Sequence, residues 1–155
     1  IGRNTNALSK NASGATIGFN SDFNLVDLIA RGTFDTGRAN YPIELTANFV
    51  KNTKAATSED YGYWLTAAYG IASEPGSFQL SYTYAHIERE AVLSVFTFSD
   101  TPGTNIEMHQ PVISYMIAPR VHLDFTGIFT KKLAVSAGAS NKLLKRTQLD
   151  ARVSF

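Results

Sequence analysis

The chain of 155 residues contains no cysteine, which excludes disulfides and thiolate metal sites and fits passage through an oxidising compartment. It holds no run of about 18 apolar residues, so no helix of this sequence is built to cross a membrane. Charge is scarce at 17%, and a net charge of +1 gives no reason to expect nucleic acid as a partner. The three histidines, His86, His109 and His122, show no metal-ligand spacing. There is no phosphate-cradling glycine loop, no EF-hand and no nucleophile placed beside a base. The expectation is therefore a protein without catalytic residues, metal or cofactor, and not an enzyme. The chain opens on Ile1 and shows no signal peptide, and is read as a processed or trimmed product.

What is present is a β-rich composition of Gly, Ser, Thr, Asn, Phe and Tyr, whose aromatics and hydroxyls suit pleated surfaces. Residues 1–12 are polar without a period and read as a linker or disordered lead-in; 13–155 read as strands. The last strand is the clearest. Leu149, Ala151, Val153 and Phe155 alternate with Gln148, Asp150, Arg152 and Ser154, an oily face against a charged one. The same alternation recurs near 13–20, 25–35, 42–52, 61–72, 78–88 and 121–132. A less regular strand lies between 105 and 117, where Pro111 interrupts it. That makes about eight strands of a length that crosses a bilayer when tilted.

The connections alternate in length as well. Those near 20–25, 52–60, 89–104 and 131–146 are the longer set; those near 36–40, 72–77 and 118–120 are short. Aromatics on the apolar face sort into two heights: Phe34, Tyr69, Phe78, Tyr115 and Phe155 below; Phe49, Tyr61, Tyr63, Tyr84 and Phe129 above. Long loops at one end and two aromatic girdles predict an all-β fold, an antiparallel transmembrane β-barrel, with this chain either complete or the C-terminal part of a larger barrel.

In such a barrel, charge must face the lumen, because hydrocarbon makes it costly. The lumen-lining candidates are Asp27, Arg31, Asp35, Glu44, Trp64, Glu88, Asp124, Asp150 and Arg152. They either line an aqueous path or fill the interior of a narrow barrel. In the long loop, Phe96, Phe98 and Asp100 are candidates for a constriction, the alternative being an apolar knot outside the membrane. Lys131, Lys132, Lys142, Lys145 and Arg146 cluster beside the last outer loop, as a contact for lipopolysaccharide phosphates or simply a solvated face.

Three stretches in order, YPIELTANFVKNT, YGYWLTAAYG and GSFQLSYTYAHIEREAVLSVFTFSDTPGTN, resemble the C-terminal part of a family of bacterial outer-membrane proteins described as porins. The likeness covers most of residues 24–155 and is strongest from Tyr82 to Asn105. Members of that family are usually longer, and the glycine-rich run that follows Ser-Asp in them is reduced here to Thr101-Pro102-Gly103. The resemblance implies passive diffusion of small hydrophilic solutes or ions in the outer membrane of a Gram-negative envelope. The last strand is similar to those of outer-membrane barrels, in which the terminal aromatic, here Phe155, belongs to the signal read by the barrel assembly machinery. The expected partners are that machinery, outer-membrane lipid with lipopolysaccharide, and a second copy or another envelope protein. A small filled barrel with an anchoring or adhesion role is the second expectation, and a soluble β-sandwich the third.

Overall fold

The computed structural model describes residues 4–97, 100–101, 103–135, 137–138 and 141–154. The fold is all-β and antiparallel. A short hairpin, β1 (Leu8–Lys10) with β2 (Thr16–Phe19), stands apart from the main sheet. The main sheet is a meander of seven strands, each bonded to its neighbours in sequence. They are β3 (Leu25–Phe34), β4 (Ile43–Asn52), β5 (Tyr61–Tyr69), β6 (Phe78–Ile87), β7 (Ile106–Ala118), β8 (Val121–Lys132) and β9 (Leu144–Val153). Among the described residues β3 and β9 pair on one side only, so the sheet is open.

Three expectations change here. The alternating segment at 13–20 does not enter the wall, because β2 pairs with Leu8–Lys10 instead. The lead-in is correspondingly structured from Asn4 onward, tied to the long loop by hydrogen bonds described below. The strand through Pro111 runs unbroken for 13 residues. Its ring costs little there for two reasons. The β7–β8 ladder shows no residue pairing at Gln110 and Pro111, and the facing residue is Gly127, whose added Cβ would meet Pro111 at 3.4 Å.

Register puts the alternating residues on two shared faces. Ile43, Leu45, Ala47 and Phe49 lie exposed on β4 while Glu44, Thr46, Asn48 and Val50 are half-buried. Across the centre the contrast sharpens: Tyr82 is 47% and Phe125 49% exposed, whereas Thr83 is 7% and Asp124 8% exposed. A flat single layer would expose both faces alike. The sheet therefore wraps around its polar side and turns its apolar side outward, the reverse of a water-soluble sandwich.

With the end carrying residues 88–105 called upper, the two longest connections, 88–105 and 133–143, emerge at that same end. The outward aromatics form two bands. The upper one runs Phe49–Tyr61–Tyr63–Tyr84–His109 with ring centroids 5.1 to 6.5 Å apart, and His86 stacks 5.1 Å from Tyr63. The lower one joins Tyr41, Tyr69 and Phe78 at 5.3 to 6.4 Å. At that end Gly70 turns with φ +81, where a Cβ would sit 2.6 Å from the Phe78 carbonyl oxygen.

Candidate functional site

The inner face is polar in its lower half. There Thr66 and Thr83 share a hydroxyl hydrogen bond of 2.9 Å, and the Trp64 indole N–H donates to Thr66 at 3.2 Å. On β8 and β9, Arg152 grips Asp124 with two hydrogen bonds, Nε to Oδ2 at 2.6 Å and Nη2 to Oδ1 at 3.0 Å. Such a planar fork fixes both side chains in place. Asp150 stands directly across from Asp124 in the ladder. At the other end of the sheet, Asn48 donates to Asp27 at 2.9 Å and Arg31 to Thr46 at 3.3 Å, with Glu44 paired opposite Thr33 on the same face.

The charges thus fall into two groups at opposite edges, one on β3–β4 and one on β8–β9, with hydroxyls and amides between. Two candidates sit elsewhere. Glu88 carries the parity of the outward residues of β6, accepts from the Tyr61 backbone N–H at 3.1 Å and lies 3.9 Å from His86, so it caps the upper end of β5 instead of facing inward. Asp35 lies past the end of β3, and its carboxylate accepts the Gly37 N–H at 2.8 Å within the turn.

Across β5 to β8 the upper half of the inner face is apolar. Ala85, Ile106, Met108 and Ile128 form a buried cluster against which Trp64 and Ile87 pack. Periodicity did not show this, since a face that alternates correctly can still be apolar at one end. The long connection 88–105 lies over this region. Val92 and Thr97 border a cavity of about 160 Å³ together with Asn48, Val50, Trp64 and Ile87. Further on, the Asp100 backbone carbonyl accepts from Arg146 at 3.0 Å, with the Asp100 carboxylate 3.4 Å from the same guanidinium. Arg146 shares the inner face of β9. The loop therefore reaches from the β4–β5 side of the inner face to β9. Within it Phe96 is 82% exposed, while Phe98 lies outside the described residues, as does Phe155.

Sequence reasoning missed what holds this loop. The buried Asn6 donates through Nδ2 to the carbonyls of Arg89 (2.6 Å) and Val92 (2.8 Å) and accepts the Ser94 N–H at 2.8 Å. The Ala7 N–H donates to Glu90 Oε1 at 2.6 Å, and Thr5 bonds Ser94 and Thr104. Asn52 fills its side-chain hydrogen-bonding capacity with Asp22, Asn24, Lys54 and Glu90, tying the β2–β3 connection, β4 and the loop together. Single asparagines in polar segments carry no period, so nothing in the sequence marked them. The histidines were more legible, since His86 and His109 have the outward parity of Tyr84 and Tyr82; His109 Nδ1 lies 2.5 Å from the Tyr82 hydroxyl.

The basic cluster divides. Lys131, on the outer face, pairs with Glu107 at 3.1 Å; Lys145 stands opposite Phe129 on that face; Lys132 and Lys142 are exposed; Arg146 is turned inward to Asp100. No group of three or more His, Cys, Asp or Glu able to hold a metal occurs among the described residues. Comparison with protein-family models, with curated proteins and with solved structures finds no match to the chain.

Proposed function

We propose that the chain forms part of the wall of an outer-membrane porin, its polar face lining an aqueous lumen for passive diffusion of small hydrophilic solutes or ions. One observation carries this reading. The covered face of the sheet holds Asp124, Thr126, Ser114 and Gln110, while Leu45, Leu65, Leu80 and Ile113 lie exposed between two aromatic bands. In water that arrangement leaves a large apolar surface unsatisfied; in a bilayer it is the stable one. Residues 88–105, anchored by Asn6 and by the Asp100–Arg146 contact, would then act as the constriction, and charge at the two edges would bias ion preference. Lys131, Lys132, Lys142 and Lys145 remain for lipopolysaccharide phosphates, and Arg146 leaves that set.

The cluster of Trp64, Ile87, Ile106, Met108 and Ile128 favours a second reading, a filled barrel with an anchoring or adhesion role, since it occupies the upper interior. Cysteine labelling of the full chain in lipid vesicles tests the facing common to both. Leu65→Cys should be shielded from a water-soluble thiol reagent and quenched by lipid-borne nitroxide. Asp150→Cys, exposed on the inner face, should behave oppositely, and reversed labelling refutes the membrane wall. Stepwise conductance of the inserted assembly then separates porin from filled barrel.

A further inference from the structure

The two free edges of the sheet carry an inference that rests on the membrane-wall reading. Every neighbouring pair from β3 to β9 is antiparallel. With seven strands in the meander, β3 and β9 therefore run in the same direction, from the upper end to the lower. Among the described residues neither has a strand along its outer side, which leaves a row of backbone N–H and C=O groups without ladder partners. Within hydrocarbon such an edge cannot persist, and outer-membrane walls close with even numbers of antiparallel strands. Joining β9 to β3 would make a parallel seam. It would also make a seven-stranded barrel, narrower than the roughly eight strands that already leave room only for side chains. Trp64, Met108 and the Arg152–Asp124 pair need that room.

A second copy does not solve the problem. Copies inserted with the same orientation are related by rotation about the barrel axis, which leaves strand directions unchanged, so β9 of one would again meet β3 of the next in parallel. An inverted copy would give antiparallel seams but would put the 88–105 loops on both sides of the membrane. The local candidate, β2, is held by β1 and has only four residues against ten in β3. We infer that the edges of β3 and β9 are a docking surface for an odd number of further membrane-crossing strands. The first and last of these run from the lower end to the upper, apolar outward and polar inward, and complete a barrel wider than this chain could close alone. The partner is thus a strand set of stated direction and pattern, not another copy of this chain.

Because the chain has no cysteine, introduced thiols report alone. Four single variants of the full chain place one at each end of each edge: Val26→Cys and Phe34→Cys on β3, Thr147→Cys and Val153→Cys on β9. The probe is a synthetic peptide with the sequence of β8, an upward-running strand, carrying cysteine in place of Phe129 near its upper end. Val26 and Phe34 are separated by about 26 Å at about 3.3 Å per residue, and a disulfide needs Cα atoms within about 7 Å. Each edge therefore gives one band or the other. In detergent micelles the peptide is expected to cross-link to Val26→Cys and Thr147→Cys and not to Phe34→Cys or Val153→Cys. Linkage at the lower positions overturns the inference. So do disulfide-linked dimers of the chain, an internal link in the double variant Ala30→Cys/Leu149→Cys, whose two positions share the outer face, or the lack of any link. If the peptide links as expected but the chain is also folded and monodisperse in plain buffer, the docking inference stands and the porin reading falls.

Discussion

Leu65 lies at the middle of β5, four residues from Tyr61 and four from Tyr69, and is 44% exposed on the outer face. At about 3.3 Å per residue it is roughly 13 Å from either end of the strand, close to the centre of a hydrocarbon core about 30 Å thick. Replacing it with arginine should cost about 2–4 kcal/mol in a bilayer, roughly 30- to 700-fold in the folding equilibrium. The neighbouring Thr66 faces inward, where Thr66→Arg loses the bond from Trp64 but can donate to Thr83. Its expected cost is about 1 kcal/mol. The assay is guanidinium unfolding of the chain in lipid vesicles, followed by the emission of Trp64, the one tryptophan in the sequence. A water-soluble sheet would answer differently: an exposed Leu→Arg change should fall within about 0.5 kcal/mol of zero. A small effect at position 65, or equal effects at 65 and 66, would refute the assignment of faces.

Asn6→Ala should free residues 89–94, leaving two carbonyls and one N–H without their partner; at about 1 kcal/mol net per bond, amide exchange at Ser94 should rise while exchange in β5 and β6 stays unchanged. Arg152→Gln and Asp124→Asn, combined in a double-mutant cycle, should show a coupling of about 1 kcal/mol that shrinks with added salt, because the arginine side chain is 64% exposed. Gly70→Ala should destabilise by more than about 1 kcal/mol, since it forces a Cβ onto the Phe78 carbonyl at positive φ; an unchanged melting temperature would count against the turn geometry.

Most of the wall was legible because strands carry a period of two that burial on one side enforces. β3, β4, β6 and β8 start and stop within a residue or so of the alternating segments. β7 was blurred by Pro111, whose accommodation depends on Gly127 in a strand about sixteen residues away. The inner charges Asp27, Arg31, Glu44, Asp124, Asp150 and Arg152 were likewise legible by parity. Glu88 broke that parity, and its position shows that alternation outranks charge.

What the sequence determines by itself is local: which residues extend, which side each presents, and that the apolar side is the larger and more aromatic. These follow from backbone geometry one residue at a time. Only the tertiary structure decided that β2 leaves the wall, that seven strands leave two edges pointing the same way, and that Asn6 holds the loop over a half-apolar inner face. The last of these depends on contacts between residues some 80 or more positions apart, as from Asn6 to Arg89 and Ser94. A single isolated polar side chain leaves no periodic trace of such a partner.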